Sequence, residues 1–367
     1  MPLPRHNEEQ INTRLLDHLL THAGFHTIQA LGQALSRPID GVLRDLGPLR
    51  TAGCVVDEHP QHGVRLARTG LGVWVDYMQW RAGHGNSRPI ELYATVSSTQ
   101  DAVRRIVETH GSAADGAVVI ADQQTSGRGR LGRRWIAPAG SAVLFSRACV
   151  LQPGAAAHST DRLMLATAVA IAEAIEDITA PHSLKVRIRW PNDIMIMDHK
   201  LAGILVERFT LSSGSGTTAA IIGIGINVSV RPEEVEETRD KREERRGTGP
   251  AGGRVASGEG TANRGDGFRH TATSLALAGR SVDRLTVLAA AIEHLDNTLA
   301  EQVPDTLVER WRKRSTLLGR RATLYCDGRP VIGRIIDLDP CDGLIVAADT
   351  GGVVHLPGAT TTIVGEG

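Results

Sequence analysis

The sequence predicts an α+β protein of three successive units: a small helical unit with a β wing over 1–80, a larger α/β unit over 90–315, and a small all-β unit over 316–367. Three observations predict it. Apolar residues recur at helical spacing through the first 80 residues. Apolar, β-branched runs then alternate with long helical stretches, and four short apolar runs separated by Asp-Gly or Gly-Gly pairs close the chain. A chain of 367 residues can bury a core in each unit.

In the first unit, Ile11, Leu15, Leu16, Leu19 and Leu20 mark an amphipathic helix, Ile28 to Leu35 a second, and Pro38 to Thr51 a third. Strands at Cys54 to Asp57 and Gly63 to Ala67 would form a hairpin, so the unit reads as a winged helix-turn-helix. The third helix, which would be the recognition helix, contains Gly41, Gly47 and Pro48; an internal proline costs about 3 kcal/mol, so it is expected to kink or end early. Residues 81–89 read as a linker, being polar and rich in Gly and Pro.

In the second unit, Gly116 to Ala121 and Ser141 to Leu151 read as strands, Asp161 to Asp177 as a helix, and Val186 to Trp190, Gly203 to Arg208 and Ala219 to Val228 as further strands. Ser281 to Ala300 reads as a helix capped by Ser281 or Asp283. Between 231 and 270 mixed charges give way to a Gly-rich tract with almost no large apolar residues, which is expected to be a disordered insertion. In the last unit, Asp327-Gly328, Asp342-Gly343 and Gly351-Gly352 favour tight turns between short strands, the pattern of an SH3-like barrel.

Charge is balanced, 41 basic against 41 acidic residues, so the whole chain advertises neither a nucleic-acid nor a membrane partner. The four cysteines form no CxxC pair, which fits reduced thiols rather than a disulfide framework or zinc site. No apolar run approaches the roughly 20 residues of a membrane span and no signal-peptide core is evident, so a cytoplasmic location is expected.

The chemistry concentrates in Gly127-Arg-Gly-Arg-Leu-Gly-Arg-Arg-Trp135, four arginines and three glycines in nine positions. Glycines let amide groups approach anion oxygens while guanidinium forks close from the sides. An Arg-Gly RNA tail is the competing reading, but strands on both sides anchor the loop in a sheet. Arg189-Trp-Pro-Asn-Asp193 ends a strand with two polar side chains suited to a ribose, a phosphate or its magnesium. Lys200 opens an otherwise buried strand, and Gly223-Ile-Gly-Ile-Asn227 is glycine-spaced, so that a flat ligand could lie on its backbone; a solvated lysine and close sheet packing are the bland alternatives. No GxxxxGK[ST], HExxH or GxSxG motif occurs.

Taken in order, Ser97-Ser-Thr-Gln100, GRGRLGRRW at 127–135, WPND at 190–193, KLAGILVE at 200–207 and GIGINV at 223–228 resemble the signatures of the biotin–protein ligases, also called biotin–[acetyl-CoA-carboxylase] ligases. The resemblance spans from about Glu91 to the C-terminus. It implies a central mixed β-sheet of the biotin/lipoate ligase, class II synthetase-like type. It also implies adenylation of biotin by ATP with Mg²⁺, followed by transfer to a lysine of a carboxylase carrier domain. Lys200, Arg128 and Arg130 would then cancel repulsion between carboxylate and phosphate. By motif position Ser98, Thr99, Gln100, Gln124, Arg128, Gly129, Arg130, Lys200, Gly223 and Gly225 would hold biotin. Arg133, Trp135, Asn192 and Asn227 would hold the nucleotide, and Asp193 would be a magnesium or loop-orienting carboxylate. The chain departs from the pattern at Ser97, where the family has an acid, at Gln100, where it has asparagine, and at Arg189, where it has lysine. A lipoate–protein ligase and a non-catalytic regulator that senses biotinyl-AMP and binds DNA are the rival readings. Some family members carry a DNA-binding winged helix, so an operator partner, a dimerisation or regulatory remnant in the first unit, and a homodimer all stay open.

Overall fold

The computed structural model describes residues 1–3, 11–83, 88–151, 159–182, 184–211, 217–231, 272–301 and 304–366. The sequence-predicted insertion at 231–270 lies outside them except for Arg231. The N-terminal helices are α1 (Thr13–Thr21), α2 (Ile28–Leu35) and α3 (Ile39–Thr51), followed by the antiparallel pair β1 (Val55–His59) and β2 (Gly63–Arg68) and by α4 (Trp74–Ala82). Leu15, Leu16 and Leu19 of α1 meet Leu31, Val42, Leu46 and Leu49, all buried, because helical spacing puts them on one side. Asn12 and Thr27 cap α1 and α2 by accepting backbone N–H bonds from Leu15 and Ala30.

The third helix spans nearly the residues read for it, Pro38 to Thr51, and of the two effects expected of Pro48 the early end does not occur: the helix runs on to Thr51. Pro48 stands in the last turn and removes one N–H, while buried Leu46 and Leu49 anchor the turn on either side. The stop is made by Gly53 at φ +87°, whose conformation lets the Cys54 N–H return 3.0 Å to the Leu49 carbonyl. Helix α4 escaped the sequence reading and carries the chain through Ala82, so the linker assigned to 81–89 starts too early.

The central sheet has seven strands in the order β3-β4-β5-β9-β8-β7-β6: β3 (Ile90–Val96), β4 (Val118–Gln124), β5 (Ala142–Leu151), β6 (Val186–Arg189), β7 (Asp193–Ile196), β8 (His199–Thr210) and β9 (Thr218–Asn227). Among the described residues only the β3–β4 strand pair is parallel, so the sheet is mixed. Its residues alternate between two covered faces. Val119 and Ala121 of β4 pack under α5 (Thr99–His110) with Val103 and Val107. Val118, Ile120, Val143 and Phe145 face the opposite core, where α6 (Thr160–Ile178) and α7 (Arg284–Ala300) pack together. Burial on both faces explains why these strands read as continuous apolar runs rather than alternations. Asp283, one of the two predicted caps, accepts the Leu285 N–H at the start of α7 and also takes the Thr69 hydroxyl at 2.7 Å, tying the first unit to the second.

Helix α8 (Pro304–Arg314) leads to a five-stranded antiparallel sheet ordered β13-β12-β11-β10-β14. Its strands are β10 (Arg321–Cys326), β11 (Arg329–Asp339), β12 (Gly343–Ala348), β13 (Val353–Leu356) and β14 (Thr361–Glu366), the last of which the sequence reading did not contain. Asp327 and Gly328 both take positive φ, as their hairpin turn requires. All four cysteines are free thiols, Cys54 and Cys149 within the core. Among the described residues no helix is long and apolar enough to cross a membrane.

Candidate active site

The Arg-Gly loop joins two antiparallel neighbours, β4 and β5, and folds back on itself. Gly129 N–H donates to Arg133 O at 2.8 Å and Trp135 N–H to Gly127 O at 3.0 Å, so residues 127–135 form a small hairpin with Leu131 and Gly132 at positive φ at its tip. This rules out the RNA-tail reading. It also corrects the picture of consecutive amides converging on an anion, because the Gly129 and Trp135 amides are consumed within the hairpin. A Cβ on Gly127 would lie 2.6 Å from the Trp135 carbonyl, which is why the base of this flap needs glycine.

The flap closes over a cavity of about 190 Å³. Ser98, Thr99 and Gln100 reach it from the start of α5, and Gln124 from the end of β4. All three residues of the Ser98 group are at most 4% exposed, and Thr99 and Gln100 are bonded within the protein. Gln124 Oε1 accepts the Thr99 N–H at 2.8 Å, the Thr99 hydroxyl meets Ser146 at 2.7 Å, and Gln100 Nε2 donates to Leu205 O at 2.9 Å. Asn192 and Asp193 enter from the β6–β7 turn and Lys200 from β8. Arg128, Gly129, Arg130, Arg133 and Trp135 form the flap side, and Gly223 and Gly225 the floor.

Asn227 is not among the residues lining the cavity. Strand alternation would put it on the same face as Gly223 and Gly225, but residues 272–276 cross the end of the sheet: Asn227 Nδ2 donates 3.0 Å to Thr273 O, and Leu275 N–H returns to Asn227 O. The side-chain amide assigned to the nucleotide is thus buried and bonded to Thr273 beside the cavity.

Arg128 and Arg130 of the flap serve opposite ends. Arg128 bridges Asp101 at 2.7 Å and Glu207 at 2.9 Å and reaches Gln100 Oε1 at 3.3 Å. Burial acts to lower its pKa, but the bonds to Asp101 and Glu207 outweigh it and hold the guanidinium above its ordinary value. Arg130 donates to Asn192 Oδ1 at 3.2 Å, to Thr361 O at 3.1 Å and to the Gly358 carbonyl. Burial pushes its pKa below the ordinary arginine value, with Asp193 and Asp161 opposing. Lys200 Nζ lies 2.6 Å from Asp193 Oδ1 and 5.6 Å from the centre of the Trp135 ring. Among the described residues no group of three metal-type side chains includes Asp193.

The glycine spacing has a specific cause. Gly203 on β8 stands opposite Gly225 on β9, and the Trp135 indole lies over both: Cβ atoms there would come within 2.7 and 2.5 Å of the ring. A Cβ on Gly223 would fall 2.6 Å from the Gln100 amide. The flat group on this floor is thus the protein's own indole, whose Nε1–H is buried without an acceptor. Sequence reasoning also missed Thr361, Thr362 and Ile363 of β14, which complete the wall beside Arg130. No local motif marks them. Arg189 and Trp190 also line it, the former at one of the positions departing from the family pattern.

The arrangement gathers five arginines, a lysine–aspartate pair, side-chain amides and an indole around a glycine floor, a set suited to an anionic, partly flat ligand. A family model, the biotin/lipoate A/B protein ligase family, matches residues 92–227. The Bifunctional ligase/repressor BirA of Salmonella typhimurium is 27% identical over 335 residues, covering 90% of this chain and 91% of the relative. That of Bacillus subtilis is 36% identical over 237 residues, covering 61% of this chain and 68% of the relative. In fold, the biotin protein ligase from Aquifex aeolicus in complex with biotin and ATP superposes with a TM-score of 0.54 at 23% identity, covering 75% of this chain and 98% of the neighbour. The chain belongs to the biotin/lipoate A/B protein ligase family.

Proposed function

We propose that this protein joins biotin to ATP, forming biotinyl-5′-AMP and pyrophosphate, and then transfers biotin to a lysine of a carrier domain of acetyl-CoA carboxylase or a related carboxylase. The observation that carries the reading is the convergence of residues from four ordered motifs, 98–100, 127–135, 190–193 and 200–205, on one cavity that also has the Gly223 and Gly225 floor. In the first step a carboxylate oxygen of biotin attacks the α-phosphorus and the pyrophosphate bond breaks. In the second, the carrier amine attacks the acyl carbon and AMP leaves. Neither step needs a protein nucleophile; the protein brings two anions together, orients them and excludes water.

Gln100, Thr99 and Gln124 would border the biotin end, with Arg128 closing over it. Arg130, Arg133, Trp135 and Asn192 would serve the nucleotide end, and Lys200 the junction. Mg²⁺ takes oxygen ligands and binds largely through substrate phosphates. Among the described residues Asp193 is the one carboxylate on the cavity wall and is already paired with Lys200, so it fits as a single additional ligand to a metal arriving with the nucleotide. The metal would offset phosphate charge. The same reading divides the chain into a winged helix at 1–80, a catalytic unit at 90–315 and an SH3-like unit at 316–367, and places the protein in the cytoplasm.

The test is biotin-dependent exchange of labelled pyrophosphate into ATP by the purified chain. Exchange is expected with biotin; exchange with lipoate and none with biotin would move the substrate to lipoate.

A second reading, operator binding by the N-terminal unit, is favoured by the alignment with the Salmonella typhimurium ligase/repressor, which extends over 90% of the chain. The charges there work against it: Arg37 pairs with Asp45, Arg50 with Glu58 and Arg65 with Asp57. Paired guanidinium groups release fewer counterions from DNA. A gel-shift with the organism's biotin-synthesis promoter, with and without biotinyl-AMP, decides it: a ligand-dependent shift establishes the repressor function, and none at moderate salt removes it.

A further inference from the structure

Three histidines outside the cavity gather at the end of α1. His18, in the last turn, and His22, at the C-cap, stand one helical turn apart with their rings stacked at 4.3 Å between centres. The ring of His26, beyond the helix, lies 5.3 Å from that of His18 and 6.5 Å from that of His22. A spacing of i, i+4 is the one by which two imidazoles on a helix reach a common metal ion. Three imidazoles on one tetrahedral ion, each nitrogen about 2.0 Å from it, have ring centres about 5 Å apart, a value that the three separations bracket.

The hydrogen bonds around the rings prepare them as ligands. His22 Nδ1 lies 3.1 Å from the His18 carbonyl, and His26 Nε2 lies 2.8 Å from the His22 carbonyl. A carbonyl only accepts, so in the neutral rings these nitrogens carry the protons, and His22 Nε2 and His26 Nδ1 keep their lone pairs. The Thr21 hydroxyl, 3.0 Å from His22 Nδ1, gives its own proton to the Asp17 carbonyl at 2.7 Å. Donation of the second ring N–H to a backbone carbonyl is the arrangement that orients metal-bound histidines. The His26 backbone is fixed too, exchanging two 2.8 Å bonds with Val64 of β2. Burial, then the two neighbouring imidazoles, hold the His18 pKa below its ordinary value against the opposing pull of Asp17, which favours the neutral ring. Among the described residues Asp339, Asp342 and His355 already have ligand atoms within 4.8 Å of one another, but Asp339 Oδ1 is occupied by the Cys341 and Asp342 N–H groups of its own turn. The three histidines need a further turn of exposed or half-exposed side chains to bring their nitrogens together.

We propose that His18, His22 and His26 bind one divalent transition-metal ion of the zinc class, on the N-terminal unit and away from the cavity, with a fourth position left to water. Three imidazoles without a carboxylate favour zinc, nickel or copper over magnesium or calcium. The ion ties the end of α1 to the segment entering α2 and, through His26, to β2. It also sets positive charge at the carbonyl end of α1, where the helix dipole favours a cation. The site does not depend on the proposed reaction.

The experiment titrates Zn²⁺ into the full-length chain, free of any histidine tag and stripped of metal by a chelator, by isothermal calorimetry. One ion per chain is expected, with a dissociation constant of about 1–10 μM. His22→Gln should weaken binding about tenfold or more, and His18→Gln combined with His22→Gln about a hundredfold or more. His59→Gln and His355→Gln, distant from the site, should leave it within about twofold. Mg²⁺ should give no binding heat. Thermal unfolding of the metal-free variants checks that they fold; if the double variant does not, His22→Gln and His26→Gln carry the same comparison. No binding at about 100 μM Zn²⁺, a double variant that binds as wild type does, or loss of binding on His355→Gln instead would overturn the proposal.

Discussion

Replacing Lys200 by alanine is expected to lower the rate of biotin-dependent pyrophosphate exchange by about 10²–10³-fold, the scale set by removing one group that stabilises developing charge. The reason is electrostatic. Two unit anions 4 Å apart repel by about 4 kcal/mol at the effective dielectric of a protein surface, and carboxylate and α-phosphate must come closer than that. Lys200 sits where β8 enters the cavity, 2.6 Å from Asp193 and near the Trp135 face. Its loss does two things: it removes the cation at the junction and leaves the Asp193 charge facing the phosphates. The double variant Lys200→Ala with Asp193→Asn should therefore recover part of the loss, a non-additivity expected of contacting residues. Steady-state exchange rates check both; a Lys200→Ala rate close to wild type would take this residue out of the machinery.

For Arg130→Ala the larger effect is expected on retention of the intermediate. Arg130 fixes the flap to Asn192 and to the Gly358 and Thr361 carbonyls, so its removal cuts three charge-assisted bonds at once. An open flap exposes the mixed anhydride to water and lets it diffuse away. Release of free biotinyl-AMP, measured by rapid filtration, is expected to rise about ten- to a hundred-fold, the equivalent of one or two charged hydrogen bonds. Transfer to a carrier domain should fall in parallel. Arg128→Ala, by contrast, cuts half-exposed pairs to Asp101 and Glu207 and should loosen the flap less. Equal retention in wild type and Arg130→Ala would show that the flap is not held shut by this contact.

Much of this architecture was legible in the order of residues. Apolar periodicity located α1, α2, α6 and the strands around the flap, and Asp283 was one of two caps read for α7. Short elements without a strong pattern escaped: α4 mixes aromatic and charged residues around its axis, and β7 and β14 are only four and six residues long. The span of α3 was read correctly to Thr51, but the early end ascribed to Pro48 was misjudged, because a proline penalty is local, whereas Leu46 and Leu49 draw their anchoring from residues elsewhere in the chain.

The sequence by itself determined most of the longer sheet strands, the glycine-rich flap between two of them, and the five ordered motifs by which the family is recognisable. These features depend on spacing and backbone freedom, which act over a few residues. Only the tertiary structure decided which side chains face one another. It laid Trp135 on Gly203 and Gly225, turned Asn227 away to Thr273, divided Arg128 and Arg130 between two ends of the cavity, and brought Thr361 from the C-terminal sheet into the wall. The partner of a buried polar atom is set by how sheets and helices far apart in sequence pack, and local patterns of residues do not carry that information.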